Sequence, residues 1–161
     1  MKAYFKYFRW LFLIVLVLAA AYVGVYFIHN AVDGGAERGN RQAPTQRVYD
    51  FADKLTDEEE SKLEALIAER EAQIRCDLVL VTLDEPILSY GGYEDWDNTN
   101  ANWNASMRSY ADDFYDDNNF GYDKVHGDGA LLLDNWYQVG AADSQAGTWL
   151  STCGRVYEHY T

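Results

Sequence analysis

The chain has 161 residues, 26 Asp and Glu against 13 Lys and Arg, and a net charge of −13 at neutral pH. At that length there is room for one small domain with a core of its own. So large a carboxylate excess excludes nucleic acid and an anionic lipid surface as binding partners, because both reward the opposite sign.

The first element predicted is a membrane anchor. Trp10 through Ile28 contains no charged residue and no proline. At helical rise the run is about 28 Å long, close to the ~30 Å hydrocarbon thickness of a bilayer. Lys2, Lys6 and Arg9 precede it, and the next charges are Asp33 and Glu37. The positive-inside bias then leaves residues 1–9 in the cytoplasm, sends 10–29 through the lipid bilayer and puts the rest outside. This describes a single-pass protein of the cell membrane with an extracytoplasmic C-terminal domain. A cleavable signal peptide competes with this reading, since Ala19-Ala20-Ala21 offers small residues. The apolar run continues past them, however, and exceeds the h-region length of about 7–15 residues. Both readings export the domain.

Residues 30–46 hold Gly34, Gly35, Gly39 and Pro44 among alternating charges and read as a flexible tether. The exported domain is placed at 47–161. Beyond Gly35, 10 Lys and Arg face 25 Asp and Glu, a net charge of −15. These carboxylates either form a solvated surface or leave some free for a hard cation such as Ca²⁺.

Thr56-Asp57-Glu58-Glu59 is a capping box followed by a stripe of Leu63, Leu66, Ile67 and Ile74, which predicts a helix over 57–74. Asp77 to Leu83 follows as a continuous β-branched and Leu run, the signature of a strand covered on both faces. Pro86 to Asn102 is a long aromatic and acidic insert. A second helix is predicted from about Asn104, with Met107, Tyr110, Ala111 and Phe114 on one face. Gly129 to Asp134 is a second buried strand, parallel to the first because a helix connects them. Thr148 to Thr152 returns antiparallel, and Val156 to Tyr160 begins another helix. An α/β layer fold that ends on one turn of helix predicts a domain truncated at its C-terminus. Cys76 and Cys153 are either idle thiols or one disulfide. The three histidines are too scattered for zinc.

Several of these pieces together resemble the TPM domain. They are Val48-Tyr49-Asp50-Phe51-Ala52-Asp53-Lys54-Leu55 before the acidic helix, the strand Asp77 to Thr82, and Phe120-Gly121. Gly127-Asp128-Gly129-Ala130-Leu131-Leu132-Leu133 and the closing Thr152-Cys153-Gly154-Arg155 complete the set. The family includes thylakoid-lumen proteins linked to photosystem II repair and many bacterial membrane-anchored proteins. The resemblance implies a three-layer α/β/α sandwich with a small mixed sheet, here preceded by one transmembrane helix. It also implies Ca²⁺ binding in some members and a phosphatase activity attributed to some. The chain departs from the family in its long insert and in lacking the usual further helices.

Three sets of residues are candidates for function. Asp84 and Asp134 end the two buried strands, where ligands of parallel sheets gather, and either terminate those strands or hold a hard cation with water. Asp128, between two glycines, is a second candidate at the opposite edge. Asp50 and Asp53 join it there by resemblance, against the alternative of an Asx turn that starts the strand. In the insert, Tyr93, Trp96 and Trp103 have the composition of a binding loop for an envelope protein or a glycan, or else pack over the sheet edge. Arg155 is the phosphate-binding candidate if the domain is a metal-dependent acid phosphatase. No Cys-x5-Arg pattern and no phosphate-cradling glycine loop accompanies it. The leading expectation is a non-catalytic, Ca²⁺-responsive interaction module, with the phosphatase and an inactive truncated domain as alternatives.

Overall fold

The computed structural model describes residues 37–92, 100–139 and 143–160. The folded unit begins at Arg38. In chain order it contains β1 (Val48–Asp50), α1 (Asp57–Ile74), β2 (Asp77–Leu83), a 3-10 turn (Ile87–Gly91) and α2 (Asn100–Asp117). These are followed by β3 (Gly129–Asn135), the short pair β4 (Gln138–Val139) and β5 (Asp143–Ser144), β6 (Gly147–Cys153) and α3 (Arg155–Tyr160). The result is an α/β fold on a small mixed sheet of order β1-β2-β3-β6, parallel through β3 and antiparallel at β6. Among the described residues no helix is long and apolar enough to cross a membrane. The anchor expected at 10–29 lies outside the described residues.

The core forms on one face of the sheet. Val79, Val81 and Leu83 of β2 alternate inward beside Leu131 and Leu133 of β3, and Met107, Ala111 and Tyr115 of α2 close over them with Phe120. The period-2 and period-3.6 patterns therefore meet at one apolar interface. Gly129 opens β3 because Tyr115 packs against it: an added Cβ would overlap the Tyr115 hydroxyl, which donates to the Gly127 carbonyl at 3.2 Å. α2 starts about one turn before the position expected from periodicity.

α1 lies against the other face, and its capping box forms as expected. The Thr56 hydroxyl accepts from the Glu59 amide at 3.3 Å, and the Glu59 carboxylate accepts from the Thr56 amide at 2.9 Å. Arg75 ends the helix in the left-handed region, at φ 55°. The buried side of α1 differs from the expected stripe. Leu63 and Ile67 are half-buried, but Leu66 and Ile74 are 48% and 50% exposed. Two carboxylates take the inward positions instead. Glu64 accepts from the amides of Arg47 and Val48 at 2.7 and 2.8 Å, and Glu71 accepts from the Leu78 amide at 2.8 Å. The helix is thus fastened to β1 and β2 by charge-assisted hydrogen bonds as well as by apolar contact.

One further expectation needs correction, and one open alternative is decided. Residues 38–46 of the proposed tether belong to the folded unit. Asn40 is buried and donates to the carbonyls of Asn119 and Gly121 at 2.7 and 2.9 Å, while Gly39 donates to the Tyr122 carbonyl. Sparse apolar content hid this, because the segment is held by polar contacts. Cys76 and Cys153 are unbridged. Asp77 and Cys153 both pair with Gly129 from opposite sides. Two strand spacings, about 9–10 Å, therefore separate the cysteine backbones, beyond the ~7 Å reach of a disulfide.

Candidate functional site

The charged groups of the domain gather at the two ends of the sheet. At the amino end, Asp77 has no exposed side-chain surface and accepts both Arg38 Nη atoms at 2.6 Å, together with the Gly121 amide at 2.8 Å. Arg47 Nε donates to Glu71 at 2.6 Å, and its guanidinium stacks over the Phe120 ring. Arg47 also stands 3.7 Å from Asp77, and Arg38 stands 3.6 Å from Glu71. Two cations and two anions thus form one quartet, buried except at Arg38, which is half-buried. Burial pushes the Glu71 carboxyl up despite the hydrogen bond from Arg47.

Beside the quartet, Asp128 is buried and accepts the Arg155 amide at 2.8 Å and its Nε at 2.5 Å. Arg155 also donates to the Arg75 carbonyl at 3.0 Å. Asp128 raises the arginine's proton affinity further. Gly154, at φ 61°, carries the chain past this pair, where an added Cβ would collide with Asp128. The Asp123 carboxylate is exposed, though what desolvation it has pushes its pKa up. It is nevertheless held low by amides, among them that of Asp128, which donates to it at 2.8 Å. The loop 121–128 is thereby tied to the sheet.

At the carboxyl end, Asp50, Thr82, Asp134 and Thr148 stand in register across all four strands. Asp50 accepts the Thr82 hydroxyl and the Leu55 amide, and Asp134 accepts the Thr148 hydroxyl at 2.8 Å. Asp84 pairs with Lys54 at 3.1 Å in an exposed contact, and Lys54 lies over the Trp136 ring. Asn135 is buried and uses both ends of its amide. It donates to the carbonyls of Glu85 and Gln145 and accepts the amides of Glu85 and Tyr137.

The register divides the expected aspartate set. Asp84 and Asp134 do share the carboxyl end, on neighbouring strands. Asp50 and Asp53 lie at that end too, and not with Asp128, because β1 runs parallel to β2. Asp128 and Asp134 flank opposite ends of β3, about 20 Å apart at strand rise. No single metal ion can bridge them. Among the described residues, no three His, Cys, Asp or Glu side chains are gathered where they could hold a metal ion. Arg155, the phosphate candidate, already binds Asp128. Trp103 is half-buried, donates to the Gln145 carbonyl at 3.0 Å and packs where Gly147 leaves room. It therefore braces the sheet edge and does not present a free ring. Tyr93 and Trp96 lie outside the described residues.

Arg38, Arg47, Glu71, Asp77 and Asn135 were missed from sequence. Glu71 carried a signal, since it stands at i+4 from Ile67 on the inward face of an amphipathic helix, where a charge needs a buried partner. Burial also pushes the Cys76 thiol up to about 12, with Asp77 adding to the effect, so it is no nucleophile.

The open part of the sheet lies on the α1 side. There Leu132 and Leu150 are 40% and 52% exposed. A groove of about 500 Å³ runs between Ile74, Cys76, Leu78, Ala130, Leu150 and Val156, with Arg155 at one end. On the α2 side, a smaller cleft between Arg108, Asp112, Trp149 and Tyr157 contains Ser151, whose hydroxyl donates to Asp112 at 2.5 Å. Comparison with known proteins finds no match to any family model, curated protein or solved structure.

Proposed function

We propose that this chain is a membrane-anchored extracytoplasmic domain of TPM type, a three-layer α/β/α sandwich acting as a non-catalytic interaction module in envelope protein maintenance. The observation that carries this reading is the apolar groove on the half-covered sheet face. Exposed Leu132, Leu150 and Ile74 stand around it, and contiguous apolar surface of this kind marks contact sites on soluble domains. Its occupant is an apolar polypeptide segment with basic flanks, because the lining is aliphatic and the exported part carries −15. A glycan would call for more hydrogen-bonding groups than Thr152 and Arg155, the polar members of a mainly aliphatic lining.

The test is binding of an amphipathic Leu/Lys peptide to the full chain in detergent, read by fluorescence polarisation. The expected result is saturable binding that is lost in Ile74→Asp with the fold intact by circular dichroism. That variant makes the domain more acidic, so a purely electrostatic attraction would strengthen instead. Equal binding to Ile74→Asp would overturn the reading.

A calcium response belongs to the same proposal and would be seated at the carboxyl end, on Asp84 and Asp134. Asp84 is held there by an exposed pair with Lys54. It is tested by thermal unfolding in excess EDTA and then in millimolar Ca²⁺. A ligand at ~100 times its dissociation constant adds about 2.7 kcal/mol, which would move the midpoint by several degrees. An unmoved midpoint removes calcium from the proposal. The acid phosphatase reading has less support, since its aspartates occupy opposite ends of the sheet and its arginine is engaged.

A further inference from the structure

The two edges of the main sheet are treated differently. β1 is three residues long, and the Glu64 carboxylate caps the amides of Arg47 and Val48 beside it. β6 is seven residues long and pairs without a bulge to β3 on one side. Among the described residues, nothing pairs with its outer backbone edge. Protein edges of this length are ordinarily blunted by Lys, Pro or a bulge. Gly147-Thr148-Trp149-Leu150-Ser151-Thr152-Cys153 has none of these, and no charge occurs from Gln145 to Gly154.

From this we infer that β6 is the interface of a homodimer, in which the β6 strands of two copies pair antiparallel about a two-fold axis at Leu150. The sequence of the strand is complementary to itself in that register. Leu150 meets Leu150 of the second copy at the centre. Thr148 meets Thr152 on the same face, a Thr–Thr pair favourable between strands. On the opposite face the bulky Trp149 meets the small Ser151, and Cys153 meets Gly147. All seven residues of each strand pair, and one sheet then runs through both copies.

Charge also favours a second copy at this edge over any other part of the surface. An acidic domain repels itself elsewhere, but β6 itself carries no charge, and the carboxylates that touch it, Asp112 and Asp134, are engaged by its Ser151 and Thr148 hydroxyls, with Arg108 beside Asp112. Joining the strands also covers Leu150, the more exposed of the two leucines on the open sheet face. This inference rests on the backbone edge and does not depend on what occupies the groove.

The experiment is disulfide trapping on the full chain in detergent, in a Cys153→Ser background, with a mild copper oxidant and non-reducing gels. Leu150→Cys should give a band of doubled mass, since directly opposed residues bring their Cα atoms within disulfide reach. Thr148→Cys alone and Thr152→Cys alone should give none, whereas an equal mixture of the two should. Leu150→Lys places two like charges face to face and should halve the particle mass in light scattering, and the exposed site lets the fold survive. A monomeric parent chain, no trapping at 150, or equal trapping by Thr148→Cys alone would each overturn the dimer as described.

Discussion

At the scale of single residues, burial separates carboxylates that hold the fold from those that decorate it. Asp77 is fully buried and answers two arginines and the Gly121 amide, so Asp77→Ala would leave the buried Arg47 and the half-buried Arg38 guanidinium groups short of an anion. Breaking a buried pair from one side costs about 3–5 kcal/mol. Asp84, in an exposed pair with Lys54, should cost no more than about 1 kcal/mol on the same change. Urea midpoints at constant slope would compare the two, and equal effects would refute the division. Glu71 offers a second check through pH. Burial raises its folded pKa above the unfolded value, so the folded state binds this proton more tightly. Its contribution to stability therefore increases as pH falls through the raised pKa. The stability of the parent chain minus that of Glu71→Gln should grow between neutral pH and the ordinary glutamate range. A difference that shrinks on acidification would mean that the attraction of Arg47 outweighs desolvation.

At the scale of elements, α1 shows how local and tertiary information part company. Its start is local, and Thr56→Ala should lower stability by about 1 kcal/mol. The amide and hydroxyl of Thr56 hold the Glu59 pKa below its ordinary value. The benefit is therefore present above the unfolded pKa and disappears as pH falls through the lowered one. The effect of Thr56→Ala should narrow in acid, as thermal midpoints at two pH values would show. The strands Asp77–Leu83 and Gly129–Asn135 were legible for a related reason, because continuous apolar runs admit few alternatives. The parallel order followed from the connecting helix. The inward face of α1 was not legible. Hydrophobic periodicity selected Leu66 and Ile74, yet Glu64 and Glu71 turn inward because β1 and Arg47 supply amides and a guanidinium that a helical wheel does not contain. β1 itself, three residues long, has too little pattern to declare a strand. Asp50 and Asp128 were grouped at one edge as metal candidates, but the end at which Asp50 stands depends on the direction of β1, known only from the assembled sheet.

At the scale of the whole molecule, excess negative charge and buried ion pairs respond oppositely to salt. The residues beyond Gly35 carry a net charge of −15. Raising NaCl from about 10 mM to about 0.5 M shortens the screening length from ~30 Å to less than 8 Å and relieves that repulsion. Salt also weakens the exposed pairs Lys54–Asp84, Lys62–Glu58 and Arg108–Asp112, each worth at most about 1 kcal/mol. The quartet of Arg38, Arg47, Glu71 and Asp77 is screened less, because three of its four members are buried. Repulsion within so large an excess of carboxylates exceeds the loss at these surface pairs, so the thermal midpoint should rise with salt by a few degrees. The β6 dimer should respond in the same direction, because its interface is uncharged while the remainder of each copy repels the other. Light scattering at fixed protein concentration should therefore show the dimer fraction increasing along the same salt series. A midpoint that falls with salt would mean that the exposed pairs contribute more than the net charge removes, and the acidic surface would then have to be regarded as locally compensated.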